Sequence, residues 1–379
     1  MPDGGGSATA TIPNGEKGPT TTAAAKALFA TPLPQSPRSD ILEWKFPKPH
    51  SQYVLTGRSR AAWHTSFVIP QLNLLLDAGL CVNKVRPKHI FLTHGHSDHT
   101  LLVPAFVDRD DRPDIYCPVE IAGKVDAFIN AKTILNSRGD TADHGLGGGA
   151  GGPKEEEEEE GVDGEWDGKG KRPRGATRLD THVTSGLRAS DTVTLARART
   201  ITATAFDCDH TTPCLGFVFS QTSRRLKAEH QGLGAAELKA LRRAGVDVTA
   251  PHSTPVFAFL GDTTAKVLAA AAAVTTTADD GDGSSSTESA AQWGRWLRGG
   301  IPVVITECSF LEERHRAQAD KTKHTIWTDL EPVVRRWPAT TFVLIHFSLR
   351  YEDDEVRRFF ADMPDPPANI VVWADGGEG

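Results

Sequence analysis

The chain has 379 residues, 39% hydrophobic and 24% charged. That is enough to bury one large core, and no apolar run approaches the roughly 20 residues needed to cross a bilayer, which excludes a membrane-spanning protein. The net charge of −7 becomes −1 without the six glutamates at 155–160, which argues against broad electrostatic capture of a large polyanion while permitting a small or local phosphate contact. Five cysteines, an odd number in a long chain read without a secretory leader, exclude a disulfide framework and point to an intracellular, reducing compartment, cytoplasmic or nuclear.

Residues 1–40 are rich in Ala, Thr, Gly and Pro without periodicity and read as disordered; they are acid-poor with a single arginine, Arg38, which leaves an organellar transit peptide as an alternative. From 41 to 379 the pattern is that of one domain. Trp63 to Pro70 and Leu72 to Asp77 predict an early hairpin. Ile90-Phe91-Leu92 predicts a buried strand that runs into Thr93-His94-Gly95-His96-Ser97-Asp98-His99. Val119 to Leu135 predicts a helix. A low-complexity insertion follows at about 139–176, ending in the basic cluster Lys169 to Arg174, which reads as a solvated loop.

Phe206-Asp207-Cys208-Asp209-His210 precedes a predicted strand, Cys214 to Phe219. Ser220 to Val256 reads as a loop plus one short helix with Leu238 and Leu241 on a common face, ended by Gly245. Phe257 to Leu260 predicts a strand running into Gly261-Asp262-Thr263, followed by an Ala-rich helix and a further low-complexity insertion at 275–289. A helix is predicted from His324 to Trp337, with Leu330, Val333 and Val334 inward and Pro338 as the stop. Phe342 to Ile345 predicts a strand ending in His346, and Val371 to Trp373 the last strand. His64, His89, His230 and His252 read as structural, and Cys208 and Cys214 as core residues.

Four metal-competent side chains within six residues at a strand end are not a packing pattern. Imidazole and carboxylate suit borderline cations such as Zn²⁺, and an extended stretch sends residues two apart in the same direction, so His94 and His96 can hold one ion together. The turn that follows can bring Asp98 and His99 to a second ion, at the roughly 3.5–4 Å separation of two-metal hydrolases.

The H-x-H-x-D-H arrangement after a strand resembles the metallo-β-lactamase superfamily. The resemblance implies an α/β fold, a four-layered αβ/βα sandwich, and supplies the remaining ligands: His210 for the first ion, Asp262 bridging both, and His346 for the second. Thr306-Glu307-Cys308, Lys323-His324-Thr325 and His346-Phe347-Ser348-Leu349-Arg350-Tyr351 narrow it to ribonuclease Z, the endonuclease that trims precursor tRNA at its 3′ end. The H-F-S-x-R-Y signature is complete. The usual His-Ser-Thr is reduced to His324-Thr325, and Thr306 stands where a histidine usually precedes the glutamate. The matched regions, about 51–111 and 203–362, cover well over half of the chain.

The resemblance implies two divalent cations, Zn²⁺ first and Mn²⁺ or Fe²⁺ as alternatives, acting on water at a phosphodiester. Asp98 is then the proton acceptor and His324 the acid at the leaving group, oriented by Glu307; Ser348, Arg350 and Thr325 are the expected phosphate contacts. Precursor tRNA is the implied substrate, and a homodimer, in which one subunit positions substrate for the other, the implied assembly. In the ribonucleases of this family a long flexible arm that grips the tRNA elbow lies between the His210-type and Asp262-type segments. The reading of Ser220 to Val256 leaves little room for one. That favours an alternative, hydrolysis of a smaller phosphodiester or thioester without the arm. A non-catalytic binding protein is disfavoured by the retention of all seven ligands.

Overall fold

The runs predicted as buried strands are apolar on both faces because each strand lies between two layers. The computed structural model describes residues 29–82, 86–107, 111–136, 181–273 and 293–376. Residues 1–28 and the expected insertions at 139–176 and 275–289 lie outside the described residues.

An eight-stranded sheet holds, in chain order, β1 Leu33–Pro34, β2 Leu42–Lys45, β3 Val54–Arg60, β4 His64–Ile69, β5 Leu74–Leu76, β6 His89–Phe91, β7 Asp114–Pro118 and β8 Val183–Leu187. A seven-stranded sheet holds β9 Thr192–Thr194, β10 Ile201–Asp207, β11 Leu215–Leu226, β12 Thr249–Phe259, β13 Val303–Glu307, β14 Thr341–Ile345 and β15 Ile370–Val372. Each sheet is antiparallel in its first part and parallel in its last, from β5 to β8 and from β12 to β15. Helices occupy the outer layers: α1 Ser97–Thr100, α2 Val103–Val107, α3 Val119–Asn136, α4 Ala235–Arg243, α5 Lys266–Ala273, α6 at residues 293–298, α7 Arg316–Thr322, α8 Trp327–Arg336 and α9 Asp353–Ala361. None of the helices among the described residues is long and apolar enough to cross a membrane.

Alternate residues of each strand point to opposite layers. On β11, Phe217 and Phe219 face the first sheet, whereas Val218 faces the outer helices. Between the sheets, Phe91 meets Phe217 with ring centroids 4.9 Å apart, Phe67 meets Trp373 at 5.0 Å, and Phe46 meets Phe257 at 5.5 Å. Outside the first sheet, Ile90 and Ile115 pack on Val103, Phe106 and Ile129 of α2 and α3. Outside the second, Phe342 and Leu344 pack with Leu268, Trp293, Leu330 and Phe360 of α5, α6, α8 and α9. This is the four-layered αβ/βα sandwich.

Pairing also fixes direction. β3, β5 and β6 run the same way within the first sheet, as do β10, β12, β13 and β14 within the second. The loops that leave their C-terminal ends carry His94, His210, Asp262 and His346, as expected of α/β sheets, whose sites lie outside the carboxyl ends of strands.

Three expectations need correction. Residues 29–40, expected within a disordered segment, are structured: Phe29 is buried, Ala30 bridges Val371, and β1 pairs with β2. The helix expected from His324 begins at Trp327, because Ile326 stays extended and bridges Phe310 while the Thr325 N–H donates to Glu307 Oε2 at 3.1 Å.

The third concerns Ser220 to Val256, which does form an arm. β11 and β12 continue beyond the core as a ribbon that pairs Ser220 with Pro255 through to Leu226 with Thr249, after an irregularity between Phe219 and Ser220. Seven pairs of residues span roughly 20 Å. At its end stands α4, started where Glu237 Oε2 accepts the Gly234 N–H at 2.7 Å and ended before Gly245 at φ +81°. Solvent bathes much of both faces of the ribbon, so it has no apolar alternation, and Pro251 and Pro255 further disguise the strand in the sequence.

Because the ribbon adds little to the core, joining Thr222 to Ser253, which face each other, through an Asn-Gly turn should leave the melting temperature within a few degrees of the parent by calorimetry. A collapse of the transition would mean that the ribbon carries the fold.

Candidate metal centre

β6 delivers the histidine-rich segment to the sandwich edge. The Thr93 N–H donates to Asp77 Oδ1 at 2.8 Å, and Thr93 O accepts the Leu215 N–H of the second sheet at 2.9 Å, so the strand end is tied from both sides. The turn expected after His96 is α1, a single helical turn that carries Asp98 and His99. Gly261 allows the second sheet to close on this segment, because a Cβ there would stand 2.5 Å from Thr93 Cβ and 2.7 Å from Cys214 Sγ.

All seven residues expected as ligands converge. His94, His96, His210 and Asp262 form one group and Asp98, His99 and His346 another, each with one potential ligand atom per residue lying within 4.8 Å of the others. In the first, His210 Nε2 lies 3.3 Å from His96 Nδ1, and Asp262 Oδ2 is 3.7 Å from His94 Nε2 and 4.0 Å from His210 Nε2. In the second, His346 Nε2 lies 3.4 Å from His99 Nε2 and 3.4 Å from Asp98 Oδ2. Asp262 touches both groups, with Oδ1 3.4 Å from His99 Nε2 and Oδ2 3.5 Å from His346 Nε2. Ligand atoms around one tetrahedral Zn²⁺ stand roughly 3.3 Å apart, so these spacings fit cations better than direct hydrogen bonds. The buried His94 Nε2 has no hydrogen-bond partner, which also fits a cation.

Ring orientation argues the same way. His99 Nδ1 donates to Asp77 Oδ2 at 2.7 Å, and His210 Nδ1 donates to Lys323 O at 3.2 Å. The Thr93 hydroxyl donates to Asp77 at 2.9 Å and accepts from His94 Nδ1 at 3.0 Å; the Ser309 hydroxyl donates to Glu307 at 2.6 Å and accepts from His346 Nδ1 at 3.0 Å. Four rings thereby keep Nε2 free to offer a lone pair inward. Sequence reasoning places Asp77 and Thr93 only at strand ends, without a role in the site, and does not single out Ser309. Asp77 had a signal: it follows Leu74-Leu75-Leu76 on the strand that neighbours β6.

Charge is the dominant physical fact of the site. Burial drives His94 well below its ordinary value, helped by the charge of His99, so it is a neutral donor. Burial opposes the charged form of His99 as well, yet Asp262 and Asp77 raise it well above the usual histidine range. Burial pushes Asp98 up, but the His346 hydrogen bond and the charges of His99 and His346 hold it below the usual carboxylate range.

Glu307 is buried and accepts four hydrogen bonds: the Thr263 N–H at 2.7 Å, the Ser309 hydroxyl, the Thr325 N–H, and His324 Nδ1 at 2.9 Å. Burial lowers His324, but the charge and hydrogen bond of Glu307, with the charge of Asp262, raise it to about 9. Its ring centroid lies 5.1 Å from that of His210 and 5.4 Å from that of His346.

Of the expected phosphate contacts, Thr325 is misassigned: it is buried and its hydroxyl donates to Thr263 O at 2.7 Å, so it braces the strand ends. Ser348 is half-buried and accepts Arg350 Nε at 3.0 Å, while Arg350 is exposed on the rim with its guanidinium 5.1 Å from the Phe310 ring centroid. Cys214 is buried and donates to Asp262 O at 3.3 Å, and Cys208 packs at the edge of the outer core.

Residues 80–188 match the family described as the metallo-beta-lactamase superfamily. The chain is similar to tRNase Z TRZ2, chloroplastic, of Arabidopsis thaliana, 22% identical over 312 residues covering 80% of this chain and 70% of that protein. It is 23% identical to tRNase Z TRZ1 of the same plant over 329 residues, covering 85% of this chain and 94% of that one. Among solved structures, the short form of human tRNase Z aligns with a TM-score of 0.39 and 14% identity over 92% of this chain and 95% of that chain.

Asp77→Asn should fold and lose about 10–100-fold in metal affinity by equilibrium dialysis, because the ring it orients loses its anionic acceptor; unchanged affinity would remove Asp77 from the site. With its value raised from 6.5 to about 9, protonated His324 stabilises the cation-free fold fully below pH 6.5, and this contribution disappears as pH rises through about 9. Urea denaturation of chelator-treated protein should show stability falling over that window, and His324→Gln should flatten the fall.

Proposed function

We propose that this chain, a ribonuclease Z-like metal-dependent hydrolase of the metallo-β-lactamase superfamily, removes the 3′ trailer of precursor tRNA with two divalent cations, Zn²⁺ before Mn²⁺. The observation that carries this reading is the placement of His324, whose Nδ1 lies 2.9 Å from Glu307 Oε1 and whose ring stands against a seven-residue ligand cluster. A fixed acid beside the cluster suits a phosphodiester, whose leaving group departs as a strongly basic alkoxide.

In this reading His94, His96, His210 and Asp262 would hold one cation, and Asp98, His99 and His346, with Asp262, the other. Bound there, the pair would acidify water and polarise the phosphoryl oxygen. Asp98 receives the proton of the attacking water and is kept in place by the Ala62 N–H, which donates to its Oδ2 at 3.0 Å. His324 gives its proton to the departing ribose oxygen, a contribution of about 10²–10⁴ in rate. Glu307 fixes the ring and sustains its charge. Ser348 and Arg350 stand where a phosphate flanking the cut would pass.

The ribbon supports tRNA as the substrate. Ser220 to Val256 carries six lysines and arginines against three acids, so cations are concentrated on the projection while the whole chain is acidic. An intracellular location, in the cytoplasm, the nucleus or an organelle that processes RNA, follows from such a substrate. A second reading, hydrolysis of a small phosphodiester or thioester, is favoured by the acidic charge of the rest of the chain, which offers a large polyanion no broad attraction outside the ribbon.

The decisive experiment incubates metal-loaded protein with a precursor tRNA bearing a 3′ trailer, beside bis(p-nitrophenyl) phosphate. Endonucleolytic release of the trailer is expected, and an intact precursor with a hydrolysed small diester would establish the second reading instead. Asp98→Ala should abolish both reactions. His324→Ala should slow precursor cleavage by about 10²–10⁴ with metal content unchanged, and metal loss would make it a ligand.

A further inference from the structure

Trp63 is 64% exposed, the most exposed of the large aromatic side chains among the described residues, and it belongs to no hydrophobic cluster. Leaving an indole in water is unfavourable, and packing gives no reason for this one. Its backbone is nevertheless firmly held. Trp63 N–H donates to Arg60 O at 3.2 Å, Ala62 N–H to Asp98 Oδ2 at 3.0 Å, and Ala61 N–H to Phe347 O at 3.1 Å. Ala62 adopts φ +60° to complete the turn, and the Trp63 ring lies 4.6 Å from the buried His64 ring at 51°. An exposed ring thus stands one residue from an amide that touches the ligand cluster, on a loop stitched to the segment that carries His346.

The surroundings repeat the pattern. Leu101, 58% exposed, follows the turn that carries Asp98 and His99, and Leu349, 51% exposed, follows His346. Arg350 lies beside Leu349, also exposed. Apolar surface and a guanidinium on the rim of a phosphodiester site match a nucleotide, whose base is flat and apolar and whose backbone is anionic.

We infer that Trp63 is a stacking platform for an unpaired nucleobase beside the phosphodiester to be cut. The inference rests on the nuclease reading and deepens it by assigning the strand state of the substrate: a base can lie on the indole only where it is not paired. Trp63 is a binding residue in this scheme, setting where the chain lies rather than moving a proton.

The test is binding of a phosphorothioate oligoadenylate that resists cleavage, followed by tryptophan fluorescence, beside an abasic oligomer of equal charge. With the metal-loaded parent, oligoadenylate should quench emission. Trp63→Ala should lose that part of the quench and about tenfold in affinity for oligoadenylate, while its affinity for the abasic oligomer stays that of the parent; Trp63→Tyr should keep most of the affinity. Unchanged oligoadenylate binding by Trp63→Ala would overturn the platform, and so would an equal loss for both oligomers, which denotes a backbone contact or a disturbed loop. An uncut precursor tRNA with Trp63-dependent oligoadenylate binding sinks the processing reading and leaves the platform standing. Trailer release with binding indifferent to Trp63 does the reverse.

Discussion

Buried negative charge governs this molecule. Asp77, Asp262 and Glu307 are almost wholly excluded from solvent, and Asp98 stands among them. Carboxylates taken out of water neutralise themselves or gather positive charge. The surrounding imidazoles are turned so that Nδ1 is spent on Asp77, Thr93, Lys323 and Ser309, and they aim lone pairs, not protons, at the centre. Only cations satisfy acids and lone pairs together. Where cations are absent, protons do part of that work, which is why His99 and His324 are driven upward while their neighbour His94 is driven down.

The sandwich exists to bring those groups to one edge. Strands of both sheets run toward it, and Glu307 ties together the loops at the edge of the second: one carboxylate fixes the backbone beside Asp262, the hydroxyl that sets His346, and the ring of His324. The placement of the Asp262 and His346 side chains and that of the His324 ring therefore share a single support. Arg60 plays the mechanical counterpart on the opposite sheet, reaching the Ser348 and Tyr351 carbonyls and Asp353.

How much of this was legible depended on density. The His94 to His99 segment is legible because ligand types crowd a strand end, whereas His210, Asp262 and His346 are each a lone residue at a strand end and are picked out only by the family resemblance. The signal at Asp77 is weak because a lone aspartate after three leucines looks like any turn residue; its meaning comes from its neighbour β6, a pairing the sequence does not show. Thr325 was misread because a hydroxyl next to a catalytic-type histidine suggests phosphate, whereas its amide and oxygen are consumed by Glu307 and Thr263. The ribbon escaped notice because a two-stranded projection in water obeys neither the alternation of a half-buried sheet nor the apolar run of a buried one. Trp63 carried no signal in sequence, since only the fold tells an exposed tryptophan from a core one.

The ligands divide between the sheets, with His94, His96, Asp98 and His99 on one and His210, Asp262 and His346 on the other; Asp98 and His346 are 248 positions apart. A pair of ions bound there would be held jointly by both halves, as a clasp. Whatever binds only the closed sandwich favours it by mass action, so scarcity of divalent metal would loosen the two halves as well as idle the chemistry. Supply of the ion would then govern the lifetime of the polypeptide against proteases together with its turnover.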